Sequence, residues 1–258
     1  MTLTEIYRPK QMPMRVAGFM SGSGSNLVKI IEHARALEAR DGRAPYRVVA
    51  IFSDNSSSRA MEIGRNFSIP CLVRDIKAFY RERKANIKDV SARAIFDMEI
   101  VDLLKPFRID VAAYAGYTHV VTKPLIEAFL GVNVHPADLS IMDNGKRKYT
   151  GVQAVRDAIL AGEKQLRATT HIVEPELDSG RILMISASLA VNLPDGFDLS
   201  NKDEVETIAY QHQNRLKEIG DWVIFPRTLE YIAQGKYARD AQGDIYFEGR
   251  PIPQGVRL

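Results

Sequence analysis

The amino-acid sequence predicts an α/β fold with a mostly parallel sheet that carries helices on both faces. Short apolar runs alternate with segments whose apolar residues recur at helical spacing, and the 258 residues are 45% hydrophobic and 26% charged. Such a chain can build one large α/β domain or two small ones. Because there is no internal repeat or low-complexity linker, we expect a polar leader over residues 1–13 and a single domain over residues 14–258.

The strands are predicted from apolar runs bounded by turn residues. The first run, residues 15–20, ends at Ser21-Gly22-Ser23-Gly24-Ser25-Asn26, and the second, residues 46–52, ends in a polar run over residues 53–58. Each is followed by a helical pattern, which gives the βα alternation. The remaining strands are predicted at residues 69–73, 109–114, 132–135, 168–173 and 182–189.

The helices are predicted where apolar residues share one helical face. In the first helix these residues are Leu27, Ile30, Ile31 and Ala34. Over residues 76–106 charged and apolar residues mix at helical spacing, and the expected core face is Phe96, Ile100, Leu103 and Leu104. Shorter helices are predicted at residues 60–65, 123–129 and 152–161.

The C-terminal region has a different character. Residues 202–235 predict one or two helices that are interrupted near Pro226, because proline breaks the hydrogen-bond ladder of a helix. Residues 240–258 carry turn residues around Ile245-Tyr246-Phe247, which is typical of a hairpin. We therefore expect a C-terminal helix-hairpin elaboration of the domain.

Charge and cysteine content exclude several classes of protein. The net charge of +3 comes from 35 basic and 32 acidic residues that are intermixed, so no extended nucleic-acid footprint is visible. No apolar run approaches the ~20 residues that span a bilayer. The single cysteine, Cys71, lies in an apolar stretch expected to form a buried strand, and the five histidines lack paired metal-ligand spacing. We expect a cytoplasmic protein with small-molecule partners and no metal.

The glycine turn over residues 21–26 is a candidate phosphate site. It stands between a strand and a helix, where free backbone N–H groups and the helix dipole suit an anion. Its spacing is neither the dinucleotide fingerprint nor the Walker A pattern. A tight turn without a ligand is the alternative.

Asn133, His135 and Asp178 are candidate catalytic residues. Strand alternation points Asn133 and His135 to the same side at the carboxyl end of a strand, where α/β sheets bind ligands. Asp178 lies in a turn and would favour the imidazolium form of His135. A structural histidine and an ordinary Asp-x-Gly turn are the alternatives. A Ser-His-Asp mechanism is disfavoured because the sequence has no Gly-x-Ser-x-Gly elbow.

Taken together, the motifs resemble the glycinamide ribonucleotide formyltransferases of the formyltransferase superfamily. The resemblance covers about residues 14–258. Its motifs, in chain order, are Ser21-Gly22-Ser23-Gly24-Ser25-Asn26, Ala115-Gly116-Tyr117, Asn133-Val134-His135-Pro136, Glu176-Leu177-Asp178-Ser179-Gly180 and the closing Phe247-Glu248-Gly249-Arg250-Pro251-Ile252-Pro253-Gln254-Gly255.

This resemblance implies a Rossmann-like formyltransferase fold that uses 10-formyltetrahydrofolate as formyl donor, without a metal. Asn133 and protonated His135 would stabilise the tetrahedral oxyanion, while Asp178 would orient His135 and assist proton transfer through water. The acceptor phosphate would bind at Gly24, Ser25 and Asn26. The residues that match the folate pocket are Arg93, Tyr117, Thr118, His119, Val120 and Val121.

The sequence departs from the family near the acceptor. Residues 137–150 replace a Ser-Leu-Leu-Pro stretch, and Asp221 stands where the family has a ribose-binding glutamate. The acceptor is therefore glycinamide ribonucleotide or another amine such as an amino sugar nucleotide. Hydrolysis of formyltetrahydrofolate and folate binding without catalysis are further alternatives.

Four other candidates receive no assigned role from the sequence. They are His171, which matches a family histidine beside the site, His33 and His212, which are expected at the surface, and Lys146-Arg147-Lys148, a solvated loop or a contact for phosphate or the folate tail.

Overall fold

The computed structural model describes residues 2–8 and 12–258 and has the α/β architecture that the sequence predicts. Residues 1 and 9–11 of the expected leader lie outside the described residues. The helices are α1 (Ser25–Asp41), α2 (Ala60–Phe67), α3 (Ile76–Glu82), α4 (Val90–Leu104), α5 (Lys123–Ala128), α6 (Ala154–Leu160), α7 (Lys202–Leu216) and α8 (Trp222–Ala233).

The strands are short, and many end next to the loops that form the site. They are β1 (Thr4–Glu5), β2 (Met14–Met20), β3 (Tyr46–Ser53), β4 (Cys71–Val73), β5 (Val111–Tyr114), β6 (Leu130–His135), β7 (Met142–Asp143), β8 (Lys146–Arg147), β9 (Gln165–Leu166), β10 (Thr169–Ile172), β11 (Ile182–Ile185), β12 (Leu189–Ala190), β13 (Tyr237–Arg239), β14 (Ile245–Phe247), β15 (Arg250–Pro251) and β16 (Val256–Arg257).

The central sheet is mostly parallel, as predicted. In the described part of the chain its order is β16-β11-β10-β6-β5-β2-β3-β4. The five strands from β6 to β4 are all parallel to one another. Strand β10 runs antiparallel to both β6 and β11, and β16 returns from the C-terminus to pair parallel with β11.

Helices cover both faces of this sheet. Successive side chains of a strand point to opposite faces, and in β2 Val16 contributes to one core layer while Ala17 contributes to the other. The first layer includes buried residues of α1, α6, α7 and α8. The second includes those of α3, α4 and α5. Gly18 lets α1 pack closely, because a Cβ at this position would lie 2.2 Å from Cδ1 of Leu27.

The C-terminal elaboration contains two helices and a small antiparallel sheet of order β1-β13-β14-β15. The predicted interruption near Pro226 is wrong in position. The two helices are separated by a π-helical turn, Lys217–Asp221, and Pro226 lies inside α8. A proline crowds the carbonyl of the preceding turn. Here that turn is the first of α8, directly after the wider π turn, so the helix continues to Ala233.

Four local expectations were wrong for reasons of packing. Leu103 is 40% exposed, because α4 buries a narrow stripe made of Phe96, Ile100 and Leu104. Cys71 is only half-buried, because β4 is an edge strand of the sheet. Residues 182–189 form two strands rather than one. His212, which was expected at the surface, is buried. Both ring nitrogens have partners there: Nε2 accepts a hydrogen bond from the Asn192 N–H, and Nδ1 contacts the Ile208 carbonyl.

Within the described residues, no helix combines the length and the apolar character needed to cross a membrane.

Candidate active site

A cleft of about 650 Å³ opens beside the carboxyl ends of β2, β5 and β6, where ligands bind in sheets of this kind. The structure brings nearly all the predicted site residues to its wall. They are Gly24, Ser25, Asn26, Tyr117, Thr118, His119, Val120, Val121, Asn133, His135, Asp178 and Asp221.

Asn133 and His135 both line the cleft from β6, as strand alternation predicts. Strand β10 pairs with β6 so that Asn133 lies opposite His171. The amide Nδ2 of Asn133 is 3.2 Å from His171 Nε2. Because the Ile172 carbonyl can only accept, His171 Nδ1 carries the hydrogen that it donates over 2.8 Å. His171, which received no role from sequence reasoning, is buried within the site.

The ring of His135 is held from both sides. Its Nε2 donates a hydrogen bond of 2.9 Å to the carbonyl of Tyr149, and its Nδ1 lies 3.4 Å from Oδ2 of Asp178. Burial lowers the pKa of His135, and the nearby carboxylate and carbonyl oppose this shift only in part. The Asp178 carboxylate thus faces Nδ1 of the ring, which is an arrangement that favours a proton on this nitrogen.

Asp178 is bracketed by two imidazoles. Besides His135, His171 Nε2 lies 3.5 Å from its Oδ1, and the Gly151 N–H donates a 2.8 Å hydrogen bond to its Oδ2. Burial alone would raise the pKa of this carboxyl, but the two rings and the Gly151 N–H outweigh it and lower the pKa to about 2. The backbone of Asp178 is left-handed, with φ of 51°, a conformation that aspartate tolerates better than most residues.

The glycine turn also lines the cleft. Gly24 caps α1 with φ of 69°, and the first turn of this 17-residue helix contains no acidic residue. The free N–H groups and the positive end of the helix dipole therefore face the cleft with no acidic residue in the first turn of α1 itself. This is the arrangement that binds a phosphate group.

The π turn brings Asp221 against the glycine turn. Asn26 Nδ2 donates a 3.1 Å hydrogen bond to Asp221 Oδ2, and both side chains are buried. Burial raises the pKa of Asp221 to about 6, although Asn26 and Lys217 act in the opposite direction. Oδ1 of Asn26 and Oδ1 of Asp221 each lack a hydrogen-bond partner. Two buried acceptor oxygens beside the glycine turn are thus left free to accept hydrogen bonds.

The loop after β5 forms a third wall and is tied to the glycine turn. Ser21 N donates to the carbonyl of Gly116 over 3.0 Å, and Thr118 N donates to Oγ of Ser21 over 3.2 Å. Further along this loop His119 Nδ1 lies 2.7 Å from Oδ2 of Asp54. The loop and the turn therefore form one continuous surface.

Arg93 is the one predicted site residue that is not on the wall of the cleft. It is buried behind the loop, where its Nη2 donates to the Tyr117 hydroxyl over 2.8 Å and lies 3.0 Å from Oδ1 of Asp97. Asp97 in turn accepts from the N–H of Thr122 over 2.6 Å. Arg93 thus supports the loop through Tyr117.

The rewritten segment, residues 137–150, is the part after β6 that differs from the family, and it contacts residues of the site from outside the cleft. Residues 137–150, all within the described chain, contribute nothing to the wall of the cleft. Lys148 Nζ lies 3.4 Å from Oε1 of Glu163, and Lys146 is exposed, so neither lysine reaches the cleft. The segment is hydrogen-bonded to residues of the site through the Tyr149 carbonyl and the Arg147 side chain.

Sequence reasoning missed several residues on the wall. Asp54 and Asn55 come directly after β3, at the start of the polar run, a signal that the strand-end rule could have used. Gln213 and Lys217 precede Asp221 at helical spacing. Within the described residues, no group of three or more His, Cys, Asp or Glu side chains could hold a metal ion.

With this geometry established, comparison with known proteins defines the class. Residues 14–203 match the formyl transferase family. The chain belongs to this family.

Individual relatives resemble the chain over most of its length. It is 24% identical over 242 residues to "Phosphoribosylglycinamide formyltransferase" of Haemophilus influenzae, which covers 93% of this chain and 96% of that protein. It is 29% identical over 227 residues to "Trifunctional purine biosynthetic protein adenosine-3" of Drosophila melanogaster, and the match covers 87% of this chain but only 14% of that protein.

Solved structures share the fold. A phosphoribosylglycinamide formyltransferase from Coxiella burnetii superimposes with a TM-score of 0.69 at 20% identity, over 95% of this chain and 99% of that one. Glycinamide ribonucleotide transformylase 1 from Symbiobacterium toebii gives 0.68 at 24% identity, over 92% and 95% of the two chains. The formyltransferase fold inferred from the motifs is thereby confirmed.

Proposed function

We propose that the protein moves a formyl group from 10-formyltetrahydrofolate to the amine of glycinamide ribonucleotide, a step of purine biosynthesis, and that it acts on these small molecules in the cytoplasm. The observation that carries the proposal is one cleft with the Asn133, His135 and Asp178 cluster on one wall and an anion site at the glycine turn on another. Membership of the formyl transferase family supports it.

The family implies a folate-derived formyl donor, and the loop over residues 117–121 is the proposed place for it. Asp54 lines the cleft beside this loop, is buried, and keeps a carboxylate oxygen without a hydrogen-bond partner. The amino-substituted pterin ring of a folate has N–H donors that could satisfy such an oxygen. The residues present therefore fit a folate.

The acceptor is proposed to lie between the glycine turn and the π turn. Its phosphate would bind the N–H groups at Gly24, Ser25 and Asn26. The unpartnered oxygens of Asn26 and Asp221 lie beside this point and would accept hydrogen bonds from ribose hydroxyls. Aspartate is one methylene shorter than the glutamate of the family, and the link to Asn26 holds it in place.

In the proposed reaction, the acceptor nitrogen forms a bond to the formyl carbon while the bond from that carbon to the folate nitrogen breaks. Asn133 has a second amide hydrogen that it would donate to the developing oxyanion, with His135 contributing when it is protonated. Asp178 would hold His135 and, through water, pass the proton of the amine to the departing folate nitrogen.

Formylation of a different amine is the second candidate, and the substitution at Asp221 is the observation that favours it. The site residues that read a sugar decide such a preference, because unpaired buried polar groups reject the wrong acceptor. An amino sugar nucleotide would use the same Asn133, His135 and Asp178 chemistry.

The experiment that tests the proposal follows the loss of 10-formyltetrahydrofolate with and without glycinamide ribonucleotide. Loss that depends on this acceptor, together with formation of the formylated nucleotide, supports the proposal. An equal loss without any acceptor would identify a hydrolase. Loss only with an amino sugar nucleotide would replace the purine assignment with the second candidate, and folate binding with no turnover would indicate a non-catalytic protein.

A further inference from the structure

The hairpin that follows β6 carries Arg147 to the loop of Asp178. Arg147 Nη1 donates to the main-chain carbonyl of Asp178, and Nη2 donates to the carbonyl of Gly180 over 2.7 Å. A guanidinium is planar and presents its donors in a fixed fork. One side chain therefore fixes two carbonyls that lie on either side of Ser179.

The main chain that Arg147 holds has little room to move. A Cβ at Gly180 would lie 1.8 Å from the Ile172 carbonyl oxygen, so the turn presses directly on β10. Asp178 is in the left-handed conformation, and Oγ of Ser179 donates to the Glu176 carbonyl over 2.8 Å. Such a conformation persists where the surrounding contacts over-determine it, and the arginine fork supplies two of those contacts.

The hairpin itself is well suited to deliver the side chain. Met142 pairs with Arg147, and Asp143 pairs with Lys146. The two residues between the strands, Asn144 and Gly145, have φ of 48° and 76°, which matches the tight turn preferred in two-residue hairpins. Arg147 thus projects from a short, locally determined element and not from an open loop.

We propose that Arg147 is a positioning residue for formyl transfer: it holds the main chain at residues 178 and 180 so that the Asp178 carboxylate stays between the rings of His135 and His171. In this view the rewritten segment, residues 137–150, acts on the catalytic carboxylate and does not read the acceptor. The inference rests on the proposed function, because turnover is one of its two readouts.

The test compares Arg147→Met, which keeps the aliphatic stem but removes the donors, with Arg147→Lys, which can reach one carbonyl, and with Lys146→Ala as the control in the same strand. We expect Arg147→Met to lower kcat by at least ~10-fold with both KM values within about threefold, since misplacing a catalytic group costs rate more than binding. Arg147→Lys should recover part of the rate, and Lys146→Ala should match the unsubstituted protein.

The second readout needs no substrate. We expect the imidazole ¹⁵N resonances of His135 and His171 to shift in Arg147→Met and to stay in place in Lys146→Ala. If the unsubstituted protein formylates nothing, the proposed function fails while the resonances still test Arg147. Four outcomes would each overturn the positioning role. Two concern Arg147→Met: unchanged histidine resonances, or a kcat within twofold of that of the unsubstituted protein. The others are an equal loss of kcat in Lys146→Ala and unfolding of both Arg147 variants.

Discussion

Asn26 and Asp221 lie 195 residues apart in the chain, yet Nδ2 of Asn26 donates a 3.1 Å hydrogen bond to Oδ2 of Asp221. This bond joins the N-terminus of α1 to the π turn before α8. Each side chain keeps one buried oxygen without a hydrogen-bond partner, so the pair can still accept hydrogen bonds. Under the proposed function, the two residues link the fold of the C-terminal helices to recognition of the acceptor.

The first prediction is that Asp221→Ala raises the KM for glycinamide ribonucleotide by about 10- to 100-fold and leaves that for the folate donor nearly unchanged. A hydrogen bond to a charged group contributes roughly 1.5–3 kcal/mol, which corresponds to that range. Steady-state kinetics with each substrate varied in turn would measure it. Glu218→Ala, an exposed residue of the same turn, is the control, and a rise in the folate KM instead would contradict the placement of Asp221.

The second prediction concerns stability and pH. Burial raises the pKa of Asp221 to about 6 from 3.8, so the folded protein binds a proton that the unfolded chain has already released between these values. Stability therefore falls as pH rises through this window. We expect Asp221→Asn to increase the free energy of unfolding by roughly 3 kcal/mol at pH 8, at 1.4 kcal/mol per pKa unit, and to change it little at pH 4. Urea denaturation at both pH values, with Glu218→Gln as control, measures the difference; equal effects at both would refute it.

The third prediction is that His135→Ala and Asp178→Asn each lower turnover by at least ~10² without unfolding the protein. Positioned acid–base and oxyanion groups typically contribute that much to a rate. Circular dichroism should show an intact fold. His33→Ala, on α1 and hydrogen-bonded to Glu230, should retain its turnover. If both substituted enzymes kept near-normal rates, the chemistry would have to lie elsewhere in the cleft.

The fourth prediction is that replacing Ser25 and Asn26 together with alanine weakens the acceptor but not the folate. The two alanines keep the backbone N–H groups of the glycine turn, but they remove the Ser25 hydroxyl and the Asn26 side chain that holds Asp221. The loop over residues 117–121, the proposed donor site, is left unchanged. Equilibrium binding of the folate and the KM for the nucleotide would be measured on the same preparation. Ser57→Ala, an exposed serine outside the cleft, serves as control. Lost folate binding with an unchanged acceptor KM would exchange the two assignments.

Local sequence patterns were sufficient to predict the parallel strands at the centre of the fold. Strand β2 was expected at residues 15–20 and spans Met14–Met20, and β3 was expected at 46–52 and spans Tyr46–Ser53. Buried strands of this kind are defined by their own apolar runs and by the turn residues that follow them. The strand-end rule also places Asn133 and His135 in one cleft, which the structure does as well.

The features that sequence could not supply depend on distant contacts. The π turn is not visible in the pattern of residues 202–235, and Pro226 suggested the break at the wrong position. The sequence around Arg93 does not show whether its side chain binds a ligand or the Tyr117 hydroxyl. Only the packing of the folded chain shows the contact with Tyr117. The sequence of the hairpin over residues 142–147 likewise does not reveal that Arg147 donates a hydrogen bond to the carbonyl of residue 178.

The π turn has a consequence for the order in which the site is completed during biosynthesis. Residues up to 178 supply the glycine turn, the loop after β5, Asn133, His135 and Asp178, whereas the partner of Asn26 comes from Asp221. A nascent chain that has not yet reached Lys217 therefore lacks one of the two residues of this hydrogen bond. Under the proposed function, the acceptor pocket is complete only after Asp221 has joined Asn26 and α8, which follows Asp221, has packed on α1.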